Sequence, residues 1–286
     1  MSYLNSILLG LIQGIAEFLP ISSSGHLSIA QNLLGLRADG SEDMFFDVLL
    51  HLGTLVAVFI AYWSEIREMI VEFFRLAGDL VKGKKLAEVR PSGRLIAMIV
   101  VATLPLFVIL PIKDFVEGLS QNTYFIGAAL LATGGLLLVC DRIRKGRKTE
   151  GSATVKDALL VGIGQAIATC PGISRSGMTI SVGCFCGFER KFAVRFAFLM
   201  SIPAVLGANI LHIADVVETG IDLSLIPVYL VGVVVAAVSG YLCIRLLRMI
   251  AEKGKFGVFS YYCWGMGALT ILLSVLKTLG MLPWLQ

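Results

Sequence analysis

Residues 95–112, 124–140, 196–211, 225–244 and 256–276 contain no charged side chain, and residues 45–63 carry one acid, Asp47. Each block approaches or reaches the ~20 residues that a helix needs to cross ~30 Å of hydrocarbon. A membrane β-barrel would show short alternating strands, whereas these are continuous Leu/Val/Ile/Ala runs. The pattern predicts an all-α integral membrane protein with six transmembrane helices. Composition agrees: 57% of the residues are hydrophobic and 15% charged, against about 25% charge in a soluble domain. The first 20 residues lack a basic start and carry Gln13 and Glu17 inside the apolar stretch, unlike a cleavable signal peptide. The six cysteines lie mostly in apolar segments, so buried small hydrophobes are expected rather than disulfides or a metal cluster. No Gly-rich nucleotide loop or nucleic-acid motif is present.

The chain also repeats itself. Shifted by 152 residues, LLGLIQGIAEFLPISSSG (8–25) lies over LVGIGQAIATCPGISRSG (160–177) without a gap, and nine of 18 positions are identical. About two matches would be expected by chance in so biased a composition. In each copy an apolar helix runs into Pro20 or Pro171 and stops, because proline cannot continue the hydrogen-bond ladder. A Ser-rich segment then offers N-caps for a second short helix. Irregular backbone at membrane depth survives only where protein or a wet cavity covers it. Each break is therefore expected to be a site.

Charge separates spanning from re-entrant copies. If both are re-entrant hairpins, loops 64–94, 141–156, 188–195 and 245–257 share one face and hold 20 of the 24 Lys/Arg. The opposite face, with 36–44, 113–123, 211–224, 277–286 and the N-terminus, holds only Arg37, Lys113 and Lys277. The positive-inside rule makes the basic face cytoplasmic and both termini external. The expected architecture is one membrane domain, 1–286. It has inverted repeats over about 1–112 and 153–247, completed by crossings 124–140 and 256–276, with the broken helices meeting near the midplane.

Glu17, His26 and Arg175 lie in these otherwise apolar breaks. A mid-membrane charge costs ~2.5–3.5 kcal/mol on insertion scales, so each needs a partner or a task. Gln13 and Glu17 share a helix face and suit a hard cation such as Mg²⁺ or Ca²⁺, or proton transfer. Ser22, Ser23 and Ser24 place hydroxyls and amides at a helix start, an anion site. His26 follows as acid, base or nucleophile. Arg175, flanked by Ser174, Ser176 and Thr179, is a fork for phosphate oxygens. His51 and Asp47 on the first crossing are candidates for supporting contacts, and Asn209 for helix–helix bonding. The plainer reading is a set of polar groups tying two hairpins together.

The stretches Gln13-Gly-Ile-Ala-Glu17-Phe-Leu-Pro-Ile-Ser-Ser-Ser-Gly-His26 and Pro171-Gly-Ile-Ser-Arg-Ser-Gly-Met-Thr179 resemble the two signatures of the undecaprenyl-diphosphate phosphatase family, the bacitracin-resistance type. The likeness extends along the whole chain in length and hydrophobic layout. It implies an enzyme of the bacterial plasma membrane that hydrolyses the C55 isoprenoid diphosphate, the carrier lipid of cell-wall synthesis, to the monophosphate with a divalent cation. Carried over to matching positions, Gln13 and Glu17 form the Glu/Gln-x-x-x-Glu element, with Glu17 the essential carboxylate and the expected metal ligand. Ser23 and His26 belong to the catalytic group, and Arg175 with its serines binds phosphate. Ser22, Ser24, Ser174, Ser176 and Thr179 are expected to complete the substrate site, opening to the outer face. The expected partners are the polyprenyl diphosphate and the bilayer, with no nucleic acid; a homo-oligomer is left open. The nucleophile stays open among Ser23, His26 and a water. A transporter or flippase of an anionic lipid or solute is the alternative, because inverted repeats with broken helices are common in transporters.

Overall fold

The computed structural model describes residues 1–33, 41–81, 90–143, 145–219, 223–253 and 255–281. Arg37, Lys82, Lys84, Lys85, Arg144 and the tail 282–286, all used in the loop-charge argument, lie outside them. Twelve α-helices are described: α1 (Tyr3–Phe18), α2 (Ser23–Leu33), α3 (Ser41–Ala61), α4 (Trp63–Val81), α5 (Pro91–Thr103), α6 (Lys113–Gly118), α7 (Thr123–Arg142), α8 (Val155–Ile167), α9 (Arg175–Phe185), α10 (Arg190–Thr219), α11 (Ile226–Lys253) and α12 (Gly257–Thr278). Five helical stretches are long and apolar enough to cross a membrane, and the bent pair Phe45–Ala61 and Trp63–Gly78 brings the number to six if taken as one span. The chain is an all-α, multi-pass membrane protein. At 16 and 13 residues, α1 and α8 extend only about 24 and 20 Å at 1.5 Å per residue.

Two stretches differ from the sequence reading. The expected crossing 45–63 turns by 85° where α3 gives way to α4, so the segment from residue 64, read as loop, continues as an amphipathic helix. The crossing 95–112 is α-helical only to Thr103 and then tightens to 3₁₀ over Leu104–Val108 and Leu110–Ile112. Pro105 and Pro111 each remove a backbone donor there.

Helices in lipid gain little from the hydrophobic effect and pack through small residues that let backbones approach. The helix α1 runs parallel to α11 in steps of four. Ser6 Oγ donates to the Val228 carbonyl at 2.6 Å, and a Cβ on Gly10 or Gly14 would stand 2.5 Å from the carbonyl oxygens of Gly232 and Ala236. In turn, α8 runs parallel to α5: Arg94 donates to the Ala153 carbonyl at 3.3 Å, and a Cβ on Gly162 would collide with Ala102. Gly10 and Gly162 are 152 residues apart, so equivalent positions of the two copies make the same kind of contact. Gly10→Val or Gly162→Val should overpack these seams and cost about 1–3 kcal/mol. Thermal unfolding in detergent should show a lowered Tm for both, but not for Gly135→Ala, where the added Cβ meets nothing within 4 Å.

Polar groups gather at the two ends of the bundle. At one end Arg190 pairs with Asp141 at 3.0 Å, Lys148 with Asp157 at 2.9 Å, Lys191 with Glu252 at 3.0 Å, and Arg195 with Glu150. A short parallel bridge between Lys148 and Phe188 joins two of these loops, and Arg248 donates to the Ala61 carbonyl at 3.0 Å. At the other end Asn32 donates to the Ser120 carbonyl at 3.1 Å, Lys277 to the Asn32 carbonyl at 3.4 Å, and Tyr124 meets Thr278 at 2.9 Å. The pair α1–α2 starts from this second end and α8–α9 from the first.

Candidate active site

The two breaks meet inside the bundle, built alike. Ser22 Oγ accepts from the Gly25 amide at 3.2 Å and touches Ser24 Oγ at 3.4 Å. Ser174 Oγ accepts from the Gly177 amide at 3.1 Å and touches Ser176 Oγ at 3.2 Å. These are N-cap bonds, so Ser22 and Ser174 hold the helix starts while leaving the first amides of α2 and α9 unused. A Cβ on Gly25 would stand 3.0 Å from Gly172 Cα, and one on Gly177 3.3 Å from Pro20 Cβ. Each helix start therefore lies against the other copy's break. The helix α7 steadies the second break, where Thr133 Oγ1 donates to the Gly172 carbonyl and accepts from the Ser174 amide at 3.3 and 3.2 Å. The helix α12 steadies the first, with Cys263 Sγ 3.6 Å from the Pro20 carbonyl. Ser22 adopts a φ of 72°, in the left-handed region, at a cost of order 1–3 kcal/mol for a residue other than glycine.

Where the breaks cross, Glu17 is the hub. It is 9% exposed. One carboxylate oxygen pairs with Arg175 Nη2. The other accepts from Ser23 Oγ at 2.6 Å and from Gln13 Nε2 at 3.2 Å, with His51 Nε2 4.0 Å away. A buried carboxylate is tolerable only when paired and hydrogen-bonded, and this one is both. A serine O–H on a carboxylate is the geometry of a nucleophile with its base. Thr179 Oγ1 donates to the Arg175 carbonyl at 2.8 Å. A cavity of about 10 Å³, room for roughly one water, lies among Glu17, Arg175, Ser176, Thr179, Phe198 and Ser201.

The structure thus brings together Gln13, Glu17, Ser23, Arg175, Ser176 and Thr179, with Ser22 and Ser174 as caps and Ser24 exposed beside them. His26 turns elsewhere: Nδ1 lies 2.7 Å from the Ser22 carbonyl and Nε2 2.8 Å from the Tyr262 hydroxyl. Three contributors were not singled out in the sequence. Phe198 and Ser201 come from α10, where Pro203 inside an apolar helix was the available signal. Tyr262, on α12, carried none. Asn209 is buried, with Nδ2 lacking a hydrogen-bond partner.

Two donors suit a hard cation. Gln13 Oε1 is buried without a hydrogen-bond partner, beside the Glu17 carboxylate. No cluster of three His, Cys, Asp or Glu exists among the described residues. The pair therefore fits an ion that takes its remaining ligands from phosphate oxygens and water, as Mg²⁺ commonly does.

Fold and site together define a polytopic membrane protein with a buried carboxylate–serine–arginine centre at two crossed helix breaks. Residues 6–269 match the family model described as Bacitracin resistance protein BacA. The chain is 40% identical over 277 residues to an undecaprenyl-diphosphatase of Alkaliphilus metalliredigens, covering 96% of this chain and all of that protein. Similar proteins of the same name occur in Syntrophotalea carbinolica, 41% identical over 276 residues (96% and 100% of the two chains), and Methanosphaera stadtmanae, 40% over 277 (95% and 98%). The chain belongs to the BacA family.

Proposed function

We propose that this protein hydrolyses undecaprenyl diphosphate, or a polyprenyl diphosphate like it, to the monophosphate and inorganic phosphate. Membership of a family whose relatives are undecaprenyl-diphosphatases supports the substrate. The observation that carries the chemistry is the Ser23–Glu17–Arg175 arrangement. The transporter reading finds no support among these matches.

In the proposed mechanism the terminal phosphate binds at the unused amides of α2 and α9 and draws Arg175 from Glu17 onto its oxygens. That exchange frees Glu17, which is a poor base while paired with a guanidinium. Ser23 Oγ then attacks the terminal phosphorus and its proton passes to Glu17. The bond from phosphorus to the bridging oxygen breaks, and the lipid monophosphate leaves with that electron pair. Glu17 passes that proton to the departing lipid monophosphate; water then attacks the phosphoserine, giving a proton to Glu17, which returns it to Ser23 Oγ as inorganic phosphate leaves. Arg175 and the helix starts stabilise the charge on the transferred group. Gln13 and Glu17 would hold the divalent cation, which supplies further neutralisation of the diphosphate when bound.

We assign the Arg/Lys-rich end to the cytoplasm, both termini to the outside, and the two hairpins to an inverted repeat. Supporting this, the basic loops meet at one end and α1 and α8 start from opposite ends. The site is proposed to open outward. Asp47, Gln31 and His51, all partly exposed, lead from Glu17 toward the outer end, with Gln31 Nε2 3.4 Å from Asp47 Oδ2. On a cysteine-free background, a cysteine at Lys145 should label only after permeabilisation and one at Gln121 in intact cells; the reverse pattern would overturn the orientation.

The functional reading is tested by phosphate release from a polyprenyl diphosphate by the purified protein, with and without a chelator. Release that the chelator abolishes is expected. No release with any of several divalent cations would refute the assignment.

A further inference from the structure

The ring nitrogens of His26 are both committed, in a way that assigns their protons. The Ser22 carbonyl, 2.7 Å from Nδ1, can only accept, so Nδ1 carries hydrogen. In the neutral ring Nε2 is then the acceptor, and the group facing it at 2.8 Å is the Tyr262 hydroxyl. The two rings also stack, with centroids 5.6 Å apart and planes 11° from parallel. Tyr262 is 236 residues away in sequence, on the helix whose next residue, Cys263, meets the Pro20 carbonyl. One turn of α12 therefore supports both the backbone of the first break and the imidazole that follows it. The Ser23 hydroxyl is meanwhile bonded to Glu17, so His26 does not compete for its proton.

We propose that Tyr262 is a positioning residue for the hydrolytic reaction: its hydroxyl fixes the tautomer of His26 and its ring fixes the imidazole plane. This rests on the reading of His26 as part of the catalytic group. With Nδ1 on the Ser22 carbonyl and Nε2 on the Tyr262 hydroxyl, both imidazole nitrogens are bonded to groups other than Ser23 and Glu17. Held there, His26 leaves the Ser23–Glu17 pair free to carry out its proton transfer. The hydrogen bond made by one ring nitrogen of a histidine sets the protonation of the other.

The test uses full-length Tyr262→Phe, which keeps the stacked ring and removes only the hydroxyl. Histidine-selective ¹⁵N spectra in detergent, with His26 assigned by loss of its signals in His26→Gln, report the bond directly. The expected result is that the His26 Nε2 signal moves toward that of a free imine nitrogen and kcat falls about 3- to 10-fold, the worth of one neutral hydrogen bond. KM should stay within about twofold, since substrate binding is untouched. Tyr262→Leu, which also loses the stack, should fall further at a Tm shown by the same thermal scan to be near wild type. An unmoved Nε2 signal in Tyr262→Phe overturns the proposal whatever the rate, and so does a moved signal with wild-type kcat. Full activity in His26→Gln is a separate result, because it removes His26 from the catalytic reading itself.

Discussion

Glu17→Gln is expected to collapse turnover of a polyprenyl diphosphate by about 10²- to 10⁴-fold, the usual worth of a general acid–base group. The substitution replaces one carboxylate oxygen by an NH₂ group and changes little volume. It leaves Ser23 facing an amide that cannot take its proton, and it leaves Arg175 without its carboxylate. Binding of the lipid should survive or tighten, because Arg175 no longer has to leave Glu17 to meet the phosphate. A folded preparation, checked by its Tm, should therefore show lost turnover with retained affinity for the same lipid. Hydrolysis at the wild-type rate would remove Glu17 from the mechanism. Parallel loss of binding and turnover would make it a docking group instead.

Arg175→Lys keeps a positive charge and removes the planar fork, and it should lower kcat/KM at least ~10-fold, the loss of one or two charge-assisted hydrogen bonds. The ammonium can still pair with Glu17, so stability should change much less than activity. Arg175→Ala should be worse on both counts, since it strands a buried carboxylate, an outcome that typically costs 3–5 kcal/mol. The comparison separates recognition from charge balance. A Lys variant with wild-type kcat and KM would show that the fork does not grip phosphate.

Much of this architecture is legible in the sequence, and the reasons are local. Uncharged runs of near-membrane length mark spans whatever their neighbours do. Pro20 and Pro171 with the following serines mark breaks because missing donors and capping hydroxyls act within a few residues. Glu17, Ser23 and Arg175 could be named from the cost of placing polar groups among apolar ones. What escaped depends on distant chain or on geometry that periodicity does not encode. The 85° turn after Ala61 is hidden because α4 carries six charged residues among its 19 and reads as loop. Pro105 and Pro111 lie inside the uncharged run 95–112, whose second half is 3₁₀ helix over Leu104–Val108 and Leu110–Ile112. His26 was placed beside Ser23 by sequence proximity. In the fold its ring is claimed by Tyr262, and His51 is the histidine whose Nε2 faces Glu17.

The central claim is that Ser23 and Glu17 act as one unit on the terminal phosphate. It is tested most directly by phosphate release from a polyprenyl diphosphate by Ser23→Ala, Glu17→Gln and the double variant, assayed side by side with matched lipid affinities. Groups that share one proton transfer are strongly non-additive. Each single variant should lose most of the activity, and the double variant should be about as impaired as the worse single. Near wild-type release by Ser23→Ala, or losses that multiply in the double variant, would contradict the account.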